Sequence, residues 1–220
     1  MQSKRIKDMS YKNLFLWFLT LVLGLSNLRA QYDFSLPAES GQMLYYQILG
    51  DFKSVRVTHP EKEWPYYADS KPVGELTIPE TVTYDEKIYR VVEIGSYAFY
   101  GCDSLTQVDM KSIQRIGTQT FCGCTLLENV SYNAGLQSIG EDAFAYCRSL
   151  EQVELGKDLA YLGISAFSMC TGLKKVTIHP DSERLLDSTI FNGCPLMKEA
   201  QKPKCYFQVW SFWCAQVVRE

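Results

Sequence analysis

Apolar residues recur along this chain with a period much longer than that of a single helix or strand. Four segments align without gaps: IGSYAFYGCDSLTQVDM (94–110), IGTQTFCGCTLLENVSY (116–132), IGEDAFAYCRSLEQVEL (139–155) and LGISAFSMCTGLKKVTI (162–178). A fifth, LDSTIFNGCPLMKEA (186–200), keeps the Phe and the Cys and then fades. Phe99, Phe121, Phe144, Phe167 and Phe191 follow one another at intervals of 22, 23, 23 and 24 residues. Three positions on stand Cys102, Cys124, Cys147, Cys170 and Cys194. Leu105, Leu127, Leu150 and Leu173 keep the same register, as do Val108, Val130, Val153 and Val176.

Each unit predicts two local elements. The ending Leu-x-x-Val-x-apolar puts Val108 and Met110 on one face of a short strand, because alternate residues share a face. The apolar residues ahead of it, Phe99, Cys102 and Leu105, stand three apart, as in one or two turns of helix. Gly95, Gly117, Gly140 and Gly163 mark the bend into that turn, where glycine accepts backbone angles that other residues resist. A unit of 22–24 residues cannot bury its own apolar side, but stacked units bury it against each other. The expected fold class is therefore an α/β-type solenoid, with one short strand and one short helical turn per unit. Residues 91–200 hold about five units, the last degenerate.

An open stack exposes strand edges, so its ends need covering. Residues 31–90 are expected to form a small β cap. Tyr45, Tyr46, Ile48, Val55 and Val57 are spaced as in strands. Stretches 76–82 and 87–92 predict a hairpin around 84–86. Residues 61–72, rich in charge, Pro and Tyr, predict an exposed loop. Phe207, Trp210, Phe212 and Trp213 make 201–220 a C-terminal tail or cap.

The first thirty residues stand apart from this pattern. Lys4, Arg5, Lys7 and Lys12 precede an apolar run over 14–25, and Ala30 closes the segment. That is the form of a secretory signal peptide. The run is short for a transmembrane helix, which needs roughly 20 apolar residues. No second hydrophobic span follows, so no membrane span is expected after cleavage. Residues 1–30 hold five of the 22 Lys and Arg and one of the 25 Asp and Glu, leaving 17 cations against 24 anions, a net charge of −7. An acidic chain without a basic cluster excludes phosphate-driven nucleic-acid binding.

The recurrent Ile-Gly-x-x-Ala-Phe-x-x-Cys-x-x-Leu-x-x-Val resembles the BspA-like class of bacterial leucine-rich repeats over residues 91–198. Leu76-Thr77-Ile78-Pro79, then Tyr89-Arg90-Val91-Val92, is similar to the lead-in such proteins carry. The family often has Ile-Pro after each strand, whereas here only Ile78-Pro79 has it, with His179-Pro180 a partial echo. The resemblance implies a protein secreted or held at the bacterial cell surface, with the periplasm as alternative. It also implies work by adhesion and protein–protein contact with an extracellular protein or cell-surface ligand.

Candidate chemistry changes this picture little. Of eight cysteines, five occupy one equivalent position of the repeat, where free thiols pack as small hydrophobes. Cys205 and Cys214 could pair with each other. Cys122 and Cys124 lack the usual Cys-x-x-Cys spacing of a redox or metal site. His59 and His179 each adjoin a proline and are expected at the surface. No catalytic residue, metal ligand or cofactor is assigned, and no enzyme is expected. The candidate ligand-binding residues are those alternating with the buried strand positions, on the expected concave face. They are Gln107 and Asp109, Asn129 and Ser131, Gln152 and Glu154, then Lys175 and Thr177. Trp64, Tyr66 and Tyr67 form a second candidate patch, since aromatics are favoured in contacts. Alternative readings are a structural spacer or fragment of a larger surface array, or a carbohydrate-active module.

Overall fold

The computed structural model describes residues 31–61, 63–67, 70–194 and 217–218. The expected signal peptide, most of the expected C-terminal cap, Cys205 and Cys214 lie outside the described residues.

The cap is a β structure built on alternation. Strands β1 (Phe34–Pro37), β2 (Met43–Ile48) and β3 (Ser54–Thr58) run antiparallel in order. Their inward positions, Leu44, Tyr46, Val55 and Val57, are buried. Strand β4 (Gly74–Thr77) leaves this sheet, while β5 (Thr81–Tyr84) and β6 (Lys87–Ile94) form an antiparallel hairpin. The expected hairpin arm over 76–82 is thus divided. Leu76 pairs with Val108 in another sheet, and only the part from Thr81 onward turns back on β6. The intervening Pro79 has no N–H to give a ladder, which favours a break there.

From β6 onward each unit gives one strand to each of two parallel columns. One column continues the cap sheet from β6 through β8 (Arg115–Ile116), β10 (Ser138–Ile139) and β12 (Tyr161–Leu162). The other column is two three-stranded parallel sheets in succession: β4, β7 (Leu105–Met110) and β9 (Asn129–Tyr132), then β11 (Gln152–Leu155), β13 (Lys175–Ile178) and β14 (Val217–Val218), with no ladder between β9 and β11. A 3-10 helix over Pro180–Leu185 follows β13.

Between the two columns the stacked apolar side chains meet. Phe99, Phe121, Phe144 and Phe167 are wholly buried. Successive rings from Phe99 to Phe191 stack at centroid distances of 5.2, 5.2, 5.2 and 5.5 Å. Burying one such ring is worth about 2 kcal/mol, and each stacked pair adds about 1 kcal/mol.

The segment from Gly to Cys is a run of tight turns and not the helix its three-residue spacing predicts; no α-helix occurs among the described residues. Its N–H groups alternate in direction. Those of Ala98, Tyr100 and Cys102 donate to the carbonyl three residues back within the repeat. Those of Tyr97, Phe99 and Gly101 donate instead to the carbonyls of Thr118, Thr120 and Cys122 of the next repeat, at 2.8–3.0 Å. Every second donor is thus committed to a neighbouring unit, and a helix would need all of them. The turns bring residues into the left-handed region at two recurring positions: Tyr97, Gln119, Asp142 and Ser165, with φ of 61°, 51°, 50° and 56°, and four residues on Gly101, Gly123, Tyr146 and Met169, with φ of 66°, 77°, 62° and 59°.

Gly117, Gly140 and Gly163 are needed for a reason other than the bend angle expected of them. A Cβ on Gly140 would stand 2.5 Å from the carbonyl carbon of Gly117 and 2.6 Å from the Thr118 nitrogen. Gly117 would likewise meet the backbone of Ser96, and Gly163 that of Glu141. Glycine here permits backbone to lie against backbone. None of these three adopts a positive φ.

Candidate binding surface

The alternation of each β7-type strand sets which side chains face outward. Val108, Met110, Val153, Leu155, Val176 and Ile178 point into the core and are buried, while Val130 and Tyr132 are half-buried. Gln107, Asn129, Ser131, Gln152, Glu154 and Lys175 are exposed, and Asp109 and Thr177 are half-buried. Parallel register brings the predicted residues into two rows. Gln107 lies beside Asn129, and Asp109 beside Ser131; Gln152 lies beside Lys175, and Glu154 beside Thr177.

The rows extend further than the repeat pattern alone indicates. Glu75 and Thr77 of β4 align with Gln107 and Asp109 and add a rung at the cap end. The alternation in Glu75-Leu76-Thr77-Ile78 carries the signal, for it repeats the polar–apolar order of β7.

Side chains in the rows are tied to one another. The Ser131 hydroxyl donates to an Asp109 carboxylate oxygen at 2.9 Å, and Lys111 Nζ lies 2.9 Å from the other. The Lys111 ammonium and Ser131 hydroxyl hold the Asp109 carboxyl below its ordinary value, against the opposing effect of burial. Asn133 donates to the Lys111 carbonyl, and the Tyr132 hydroxyl to the Glu154 carbonyl at 2.5 Å. Beyond the strand ends a groove of about 430 Å³ opens against the second half of the column, bounded by Tyr132, Glu154, Lys157, Thr177 and His179.

The thiol ladder is closed to chemistry. Cys124, Cys147, Cys170 and Cys194 each donate through Sγ to a Phe carbonyl of the preceding repeat, at 3.1–3.2 Å. All six described cysteines are free and buried. Burial pushes the Cys102 thiol up to about 12, and those of Cys122 and Cys194 to about 11. A thiol so held stays protonated and is neither nucleophile nor ligand. No three His, Cys, Asp or Glu side chains converge as a metal site would require among the described residues.

Two expectations for the cap change. His59 is not at the surface: it is 2% exposed, its Nδ1 lies 2.5 Å from the Glu61 carbonyl oxygen, and burial lowers its pKa. His179, by contrast, is exposed. The loop over 61–72 is only partly exposed. Tyr67 is buried and donates its hydroxyl to the Ala98 carbonyl at 2.5 Å, in the place of the N–H a preceding repeat would supply. Tyr67 therefore leaves the predicted aromatic patch. Trp64 and Tyr66 remain in it, joined by Tyr97 and Tyr100.

Parallel columns of one short strand per unit, closed over a ladder of apolar side chains, define a leucine-rich repeat protein. The chain belongs to the family of the BspA type leucine rich repeat region, whose profile matches residues 92–211 in six copies. Six copies are one more than the five units that the Phe and Cys spacing predicts. Among solved structures it is similar to a leucine-rich repeat protein from Bacteroides ovatus ATCC 8483, with 21% identity and a TM-score of 0.54. That likeness covers 75% of this chain and 52% of the other, so the chain spans about half the length of that protein. It is also similar to one from Bacteroides capillosus ATCC 29799, with 22% identity, a TM-score of 0.48, and coverage of 61% and 93%. A leucine-rich repeat protein of T. pallidum follows, with 24% identity, a TM-score of 0.47, and coverage of 70% and 76%. No curated protein matches the chain.

Proposed function

We propose that this protein is a non-catalytic binding module, secreted or displayed at a bacterial cell surface, that takes an extracellular protein or cell-surface ligand. The polar rows of the strand column are the contact surface. One observation carries this reading: the eight outward side chains predicted from alternation lie in register-matched pairs on two parallel ladders, β7–β9 and β11–β13, on a backbone tied by inter-repeat hydrogen bonds. A rigid sheet presenting polar side chains suits an extended partner, because the backbone that carries them needs no ordering on contact. The basic, apolar leader over residues 1–30 supports export. Membership of the repeat family supports a role in protein contact.

The test is solid-phase binding of the purified chain to a panel of immobilised extracellular-matrix and cell-surface proteins. Asp109→Lys and Glu154→Lys reverse one charge in each half of the column. A partner is expected whose affinity drops by about tenfold, or about 1.4 kcal/mol, in each variant. Absence of any partner, or affinity unmoved by both reversals, overturns the contact surface. The first of those results would favour a structural spacer.

A further inference from the structure

A second site, unrelated to the strand column, lies where the cap meets the first repeat. A pocket of about 370 Å³ opens there between β3, the start of the first turn and Tyr66. Its floor is Gly95, and a Cβ on that residue would stand 3.3 Å from Arg56 Cδ. Its walls combine the rings of Tyr66 and Tyr97 with the polar groups of Gln47, Arg56 and Ser96. The Tyr66 and Tyr97 rings lie 5.2 Å apart at 33°.

Trp64 extends the aromatic wall outward. Its ring meets those of Tyr66 and Tyr100 edge-on, at 6.2 and 5.7 Å, yet Trp64 is 66% exposed. Repeat packing does not call for these rings. At the position of Tyr97 the later repeats have Gln119, Asp142 and Ser165; at that of Tyr100 they have Cys122, Ala145 and Ser168. The aromatics are confined to the one repeat that borders the pocket.

Charge in the pocket is one-sided. Arg56 is the one formal charge among the described residues lining it. Its partner Glu93, 3.3 Å away, is also held by Arg115 at 2.9 Å, so two guanidiniums share one carboxylate. Burial keeps His59 neutral at pH 7, as a hydrogen-bonding group and not a cation.

We infer that this pocket binds a glycan through a sugar ring that bears a carboxylate. The apolar C–H face of a pyranose packs against an aromatic ring, its hydroxyls pair with planar amide and hydroxyl groups, and its carboxylate answers the excess positive charge of Arg56. The site is independent of the strand column, so its fate and that of the column are separable.

The test is calorimetric titration of the full chain with two carboxylated probes, sialyllactose and a hyaluronan tetrasaccharide. Lactose and cellobiose serve as neutral counterparts. Binding of at least one acidic probe is expected, at least about tenfold tighter than either neutral sugar. The acidic sugar that binds identifies the source of the carboxylate. Trp64→Ala removes an exposed ring, and Tyr97→Gln installs the residue that Gln119 already carries in the same backbone conformation. Both should keep the wild-type unfolding midpoint and lose at least about tenfold in affinity. Arg56→Gln should abolish the preference for the acidic sugar, and Asp109→Lys should change nothing here. Failure of both acidic probes to bind, equal binding of neutral sugars, or full affinity in Trp64→Ala and Tyr97→Gln overturns the site.

Discussion

At the scale of single residues, glycine is the strictest requirement of the repeat. The Gly140 hydrogen faces the Gly117 and Thr118 backbone at distances no Cβ tolerates. Gly50, in the cap, faces open space. Gly140→Ala should therefore cost about 3 kcal/mol or more, as overpacking against rigid backbone does. Gly50→Ala should leave stability within about 0.5 kcal/mol. Urea midpoints of the two chains check this, and a similar small change in both would mean that the repeats do not pack as closely as described. These glycines were visible in the sequence as a column, but their reason was not: period reveals that a position matters, and only the neighbouring chain reveals why. His59 shows the opposite failure. A lone histidine beside a proline offers no pattern, and its contact with the ring of Tyr66, 4.4 Å away, is one that sequence spacing does not predict.

At the scale of elements, strand alternation was legible: Val108, Val153 and Val176 are buried where the period places them, and Val130, at the same position, is half-buried. The turn segment was not. Apolar residues three apart suit a helix and a chain of tight turns equally, and the choice depends on donors directed to another repeat. One element carries a correctable strain. The β5–β6 hairpin turns on Asp85 and Glu86, at φ of 49° and 60°. Two left-handed residues between antiparallel strands form the turn that Asn-Gly or Asp-Gly satisfies best. Glu86→Gly should stabilise the chain by about 1 kcal/mol. The thermal midpoint should rise by a few degrees, roughly 2–4 °C. A fall in the midpoint would show that the Glu86 side chain contributes more than its backbone costs.

At the scale of the whole molecule, the thiol ladder sets an alkaline limit on stability. In the folded chain burial pushes Cys102 up to about 12 and Cys122 and Cys194 up to about 11, and it raises Cys124, Cys147 and Cys170 well above the 9.0 of an ordinary thiol. Below 9.0 both states hold the proton and the ladder contributes in full. Above it the unfolded chain releases protons that the folded chain retains, so stability falls as pH rises from 9.0 toward 11 or 12. Buried Tyr46 and half-buried Tyr132, whose pKa values desolvation also raises, act in the same direction at higher pH. The thermal midpoint should fall steadily over that window. Cys170→Ala, although less stable at neutral pH because it leaves a cavity, should show a shallower fall. A midpoint indifferent to alkali would contradict the buried ladder. The overall architecture was readable because stacking turns one repeated set of contacts into the entire core. The two-column arrangement was not, since β8, β10 and β12 are two residues long and leave no alternation to detect.

The left-handed position occupied by Tyr97, Gln119, Asp142 and Ser165 has a consequence for how this surface changes over generations. The fold dictates a torsion there and is indifferent to what is attached to it, as one aromatic, one amide, one carboxylate and one hydroxyl demonstrate. Folding and recognition are thereby placed under separate selection. Mutation can rewrite this row of the exterior one unit at a time while the interior ladder stays fixed, and a lineage can acquire a new ligand without first finding a new scaffold.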